Sequence, residues 1–174
     1  PFRLNGLTYE GKLSFDGPIN SVSFNDDGTR IYTLDGSNNT PILTTVELPN
    51  AYDVSSSTQI HQVDLSTLGI EVGEHSSDDQ AKDVEFSDDG FAMYILIRND
   101  TLLTDGSSDM PYSYIYQFRL EESFNVATAE KVGRWNVKGF GNGTSTSKTG
   151  QPTGFSFSSD GMHLFIVQVQ GGGG

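Results

Sequence analysis

In a chain of 174 residues, 23 acidic side chains stand against 10 basic ones, and the net charge of −13 repels nucleic-acid phosphates and anionic membrane surfaces, which sets both aside as partners. There is no cysteine, so disulfide staples, thiolate-bound zinc and thiol catalysis are excluded together. The 34% hydrophobic and 11% aromatic content is that of a globular chain, the 20 glycines suit many tight turns, and no stretch has the ~18 apolar residues of a membrane-spanning helix or the pattern of a signal peptide.

In chain order, residues 7–15, with Tyr9, Leu13 and Phe15 at alternate positions, read as one strand lying ahead of the first complete unit. That unit spans 21–65 and holds strands a to d over Ser21–Phe24, Arg30–Leu34, Ile42–Leu48 and Gln59–Asp64. A second unit spans 83–137, with strands over Asp83–Phe86, Ala92–Ile97, Tyr114–Leu120 and Lys131–Val137. Residues 153–170 supply only an a and a b strand, and 171–174 are a glycine tail. The alternation of Tyr114, Tyr116, Phe118 and Leu120 with Ser113, Ile115, Gln117 and Arg119 has the period of two expected of a sheet with unequal faces. No window reads as a capped amphipathic helix.

The units are copies of one another. Phe24-Asn25-Asp26-Asp27-Gly28, Phe86-Ser87-Asp88-Asp89-Gly90 and Phe157-Ser158-Ser159-Asp160-Gly161 are one motif, recurring after 62 residues from Val22 to Val84 and after 71 from Val84 to Phe155. The c–d halves match at a constant 72, from Val46 to Phe118, which places a ten-residue insertion between Ile97 and Tyr114. Periods of this size belong to propeller blades rather than solenoids. Asp27-Gly28, Asp89-Gly90 and Asp160-Gly161 read as a–b turns, because Asx side chains bond nearby amides and glycine accepts positive φ. Carboxylates so spaced can also share a cation such as calcium; recurrence at one structural point favours the turn.

The pattern apolar-x-Phe-Ser-x-Asp-Gly, followed by strands such as Met93-Tyr94-Ile95-Leu96 and Tyr116-Gln117-Phe118-Arg119-Leu120, resembles the β-propeller repeats of surface and phage-tail proteins and of lactonase-like and WD-like propellers. The resemblance implies an all-β chain of four-stranded antiparallel blades, two complete and others partial at both ends. A closed propeller needs at least about four blades, so the expectation is a segment of a longer chain or one that closes with another copy. The proline of the usual Ser-Pro-Asp-Gly form is absent, and the sialidase Asp-box is not met.

Chemistry is thinly signalled. His61, His75 and His163 lie far apart and read as surface residues; no Gly-x-Ser-x-Gly elbow or phosphate loop occurs, and no catalytic residue, cofactor or metal ligand is assigned. Asn38, Asn99 and Asn142 each open an Asn-x-Thr sequon in a loop, and propeller geometry puts all three on one face, as candidate glycosylation sites. The inserted loop makes Arg98, Asp109, Met110 and Tyr112 the candidates for partner contact. Phe24, Phe86, Phe157 and Trp135 are expected to pack between blades.

These observations point to a non-enzymatic extracellular β-propeller module with a structural or adhesive role in a surface or fibre-like assembly, at the cell or virion surface. Its partners would be other subunits or copies of itself, and glycans as a second class. Two alternatives remain open: a carbohydrate-binding propeller lectin, with or without calcium as a cofactor, and part of a lactonase-like or other propeller hydrolase.

Overall fold

Each Asp-Gly step turns the chain back on itself, and the hairpin that results sets the register of everything around it. In the computed structural model, which describes residues 11–15, 17–35, 41–70, 80–98, 113–137 and 151–169, ten strands form three antiparallel sheets. The first sheet has the order β1 (Ile19–Phe24), β2 (Arg30–Asp35), β3 (Ile42–Glu47), β4 (Thr58–Asp64). The second repeats it with β5 (Gln80–Phe86), β6 (Ala92–Arg98), β7 (Ser113–Leu120) and β8 (Ala129–Asn136), and the third pairs β9 (Gln151–Phe157) with β10 (Leu164–Val169).

The repetition extends to register. The first hairpin closes Phe24 onto Ile31, the second Phe86 onto Met93 and the third Phe157 onto Leu164. Each inner strand also breaks register at the same place, between Ile19 and Ser21, between Ala81 and Asp83, and opposite Val167 and Gln168. A further shift at Thr45/Val46 recurs at Gln117/Phe118. Bulges increase local twist, so the same twist is written into each copy. Helical content among the described residues is confined to 3-10 turns at Val54–Ser56, Leu65–Leu68 and Val126–Thr128, capped by the side chains of Asp53, Asp64 and Asn125.

The second sheet packs between the other two. Toward the first sheet, Val84, Met93, Ile95 and Phe118 share a core with Tyr32, Leu34, Leu43 and Val63; toward the third, Leu96, Ile115 and Val137 meet Phe155, with Tyr94, Phe157 and Ile166 packed alongside. The inner strand of each sheet lies beside the next, β1 against β5 and β5 against β9.

Of the expected 7–15 strand, residues 7–10 lie outside the described residues, and Leu13 and Phe15 lie on Ile31, Val46 and Leu48 at the outward face of the first sheet. One expectation changes. Trp135 is exposed rather than packed between sheets, since β8 is the outer edge of its sheet. Of the four aromatic residues, Phe86 and Phe157 do pack across a joint, against Tyr32 and Tyr94, while Phe24 lies against Tyr52 on an open face.

Candidate functional site

The aspartates of the three turns are the candidates for cation chemistry. Asp27 Oδ1 accepts from the Thr29 amide at 2.9 Å and its hydroxyl at 2.5 Å. Asp89 Oδ1 takes the Phe91 amide and the Ser87 hydroxyl, and Asp160 Oδ1 takes the Met162 amide and the Ser158 hydroxyl. Each carboxyl is held below its ordinary range, first by the hydroxyl and then by the amide. The following glycines, Gly28, Gly90 and Gly161, have φ of 71°, 71° and 67°, the left-handed region that glycine enters without a Cβ clash. Among the described residues no group of three or more His, Asp or Glu is placed to hold a metal ion.

Glycine is needed at two of these turns for a second reason. The ring of Tyr52 covers Gly28 so closely that a Cβ would come within 2.4–2.6 Å of its atoms, and Phe124 covers Gly90 at 2.3–2.6 Å. Tyr52 and Phe124, both at positive φ themselves, also donate their amides to the oxygens of those glycines at 2.8 and 2.9 Å. The c–d turn is thus clasped onto the a–b turn in both complete units. At Gly161 a Cβ would meet nothing within 4 Å.

Between the sheets, β5 carries two carboxylates that serve both neighbours. Asp83 Oδ1 accepts from Ser21 Oγ of β1 at 2.6 Å, while its Oδ2 accepts the Phe155 amide of β9 at 2.9 Å. Glu85 Oε2 accepts the Phe157 amide at 3.3 Å. These amides alternate along the edge of β9, which among the described residues has no ladder partner on that side, so side-chain oxygens take the place of a strand. Gly154 permits the approach: a Cβ there would lie 3.2 Å from Asp83 Oδ2. Burial pushes the Glu85 carboxyl up, against the opposing pull of its bonds to Ser156 and Phe157.

A cleft of about 580 Å³ opens between the second and third sheets at the turn end, lined among others by Glu85, Asp88, Asp89, Tyr94, Phe157 and Asp160. The same place in the joint between the first and second sheets is occupied by Phe124, whose oxygen accepts the Tyr32 hydroxyl at 2.7 Å and whose ring lies 5.7 Å from Phe86. The cleft can accept hydrogen-bond donors and shows an aromatic pair, Tyr94 and Phe157, with ring centroids 4.6 Å apart.

Ser158, Asp160 and His163 meet at its rim and are the residue types of a hydrolytic triad. Their roles differ from one. Ser158 Oγ gives its proton to Asp160 and accepts the His163 amide at 3.0 Å, while His163 Nδ1 stands 3.5 Å from that oxygen and 3.8 Å from Asp160 Oδ1. A triad needs the hydroxyl directed at the imidazole and the carboxylate behind it. Ser87 and Asp89 make the same serine-to-aspartate bond with no histidine in the turn, so the bond belongs to the turn.

Of the other candidates, Arg98 ends β6, opposite Gln80 and Ser113. Asp109, Met110, Tyr112 and the sequon residues Asn38, Asn99 and Asn142 lie outside the described residues. His61 and His163 are exposed. Asp83 and Glu85 escaped the sequence reading. The signal for them was there: both replace the serines Ser21 and Ser23 at equivalent positions of β1.

Comparison with protein-family models, curated proteins and solved structures finds no match for this chain.

Proposed function

We propose that the chain is a β-propeller segment with a non-enzymatic structural or adhesive role in an extracellular, surface or fibre-like assembly. The observation that carries this reading is the repeated joint. Tyr32 meets Phe86 at 4.3 Å between ring centroids, Tyr94 meets Phe157 at 4.6 Å, and each pair lies where the inner strand of one sheet passes the next. Like joints between successive repeated sheets are how radial repetition builds a propeller, and a scaffold assembled from copies of one contact needs no reactive centre. The acidic surface and the sequons at Asn38, Asn99 and Asn142 support an extracellular setting.

The cleft at Glu85 and Tyr94 favours the lectin as second reading, because it combines acceptors with an aromatic surface. A glycan array run with and without chelator, beside a screen of lactone and glycoside substrates, separates the readings. The proposal expects neither turnover nor chelator-sensitive binding. Sugar binding lost on Tyr94→Ala would replace it with the lectin, and turnover would replace it with the hydrolase.

A further inference from the structure

Aspartate followed by glycine is the aspartyl pair most open to succinimide closure, because glycine has no Cβ to keep its own amide away from the aspartyl side chain. Asp27-Gly28, Asp89-Gly90 and Asp160-Gly161 are alike in what precedes that reaction. In each, the carboxyl bends over its glycine to accept the amide two residues on, from Thr29, Phe91 and Met162 at 2.9, 3.0 and 3.0 Å. In each, the glycine amide is engaged elsewhere, by the backbone oxygen of Asn25, Ser87 or Ser158 at 3.1, 2.8 and 2.8 Å. The turn must open before that nitrogen can attack.

What holds the turns shut differs. Gly28 and Gly90 are buried beneath Tyr52 and Phe124, whose amides donate to the glycine oxygens at 2.8 and 2.9 Å. Gly161 is exposed, and a Cβ there would meet nothing within 4 Å. Among the described residues no backbone amide donates to the Gly161 oxygen. Its neighbours Asp160 and Met162 are exposed as well, Met162 at 79%.

We propose that Asp160-Gly161 is a site of isoaspartate formation in the folded chain, while the two clasped turns resist. When the third turn opens, the Gly161 nitrogen bonds to Asp160 Cγ and closes a succinimide. One carboxylate oxygen leaves as water, carrying the amide proton and one proton from solvent. Water then adds to the ring. Breaking the bond between the Gly161 nitrogen and the main-chain carbonyl carbon of Asp160 leaves Gly161 attached through the side-chain carboxyl, with one more carbon in the main chain and no net change of mass. That carbon falls inside the turn that closes Phe157 onto Leu164, so the modification loosens the β9–β10 hairpin and spares the two four-stranded sheets.

Ageing the full 174-residue chain at neutral pH, followed by digestion and electron-transfer mass spectrometry of each turn peptide, tests this. A turn kept closed by one further hydrogen bond and a covering ring opens roughly 10-fold less often, so isoaspartate is expected to accumulate at Asp160 about 10-fold faster than at Asp27 or Asp89. In the chain aged in urea the three rates are expected to converge. Equal rates in the folded chain, a faster rate at either clasped turn, or the same preference for Asp160 in urea would overturn the proposal. Tyr52→Ala takes the ring off Gly28 and is expected to raise the rate at Asp27 severalfold with that at Asp160 unchanged; no rise would overturn the clasp as the protecting element. Should Tyr52→Ala unfold, shown by rates that match those in urea, the comparison of native and urea-treated chain decides alone.

Discussion

The hydroxyl of Tyr32 donates to the backbone oxygen of Phe124 at 2.7 Å, across 92 residues of sequence and from one sheet into the turn that caps the next. Tyr32 is fully buried, and burial raises its phenol to about 12 from an ordinary 10.0. Because the folded value is raised, the unfolded chain gives up this proton first. The phenol's contribution is complete below pH 10 and disappears as pH climbs toward 12. Tyr32→Phe is expected to cost about 1 kcal/mol at pH 7 through the lost bond and to make stability less sensitive to pH between those values. Urea unfolding at pH 7 and at several alkaline pH values measures both; an unchanged alkaline slope would contradict the assignment.

The three Asp-Gly turns are alike in sequence and differ in what covers them. Gly90→Ala forces φ of 71° on a residue with a Cβ and drives that Cβ into the Phe124 ring. Left-handed strain of about 1–2 kcal/mol and overpacking of about 1–3 kcal/mol then combine. Gly161→Ala meets open space and carries the strain alone. Denaturant midpoints should rank Gly90→Ala and Gly28→Ala well below Gly161→Ala, and equal losses would show that the rings do not clasp the turns.

How much of this was legible follows from the range of the forces involved. The strands were, since period-two alternation and Asp-Gly turns are local signals: the expected strand over Ala92–Ile97 is β6, Ala92–Arg98, and that over Tyr114–Leu120 is β7, Ser113–Leu120. The alignment also paired Tyr52 with Phe124, yet gave no hint that both rings lie on glycines 24 and 34 residues upstream, because stacking across a sheet end has no sequence period. Asp83 was hidden for the same reason: its partners, Ser21 and Phe155, are 62 and 72 residues away. Trp135 misled because ring size argues for burial while its place on the outermost strand decides exposure.

Asp83 joins three strands, so its loss should be felt in the third sheet. Hydrogen bonds to a charged group contribute about 1.5–3 kcal/mol, and Asp83→Ala removes those to Ser21 and Phe155 together. Hydrogen exchange should quicken at the Phe155 amide while amides inside the β2–β3 ladder keep their protection. Asp83→Asn, whose oxygen can still accept the Phe155 amide while its NH2 donates to the Ser21 hydroxyl, keeps both contacts without the charge and should fall between. Uniform exchange across the chain would instead mean that Asp83 acts on global stability.

Acid and near-neutral behaviour should have opposite signs at two kinds of carboxyl. Asp27, Asp53, Asp89 and Asp160 are depressed below 3.8, first by neighbouring hydroxyls, so their contribution is present above 3.8 and lost as pH falls through the folded values. Glu85 is raised above 4.5 by burial, so its contribution is present below 4.5 and lost as pH rises through its folded value. Glu85→Gln keeps an acceptor for the Phe157 amide and removes the charge. It should raise stability at neutral pH and flatten the profile just above 4.5; a neutral-pH loss would place Glu85 outside the joint.

The account turns on whether the two joints are one contact made twice. Aromatic NOEs in the native chain test that directly, since Tyr32 and Phe86 have ring centroids 4.3 Å apart and Tyr94 and Phe157 4.6 Å apart. Cross-peaks of comparable strength for both pairs are the predicted result. Absence of both, with the strand-to-strand NOEs inside each sheet intact, would mean that the sheets form without stacking as repeated units and would contradict the account.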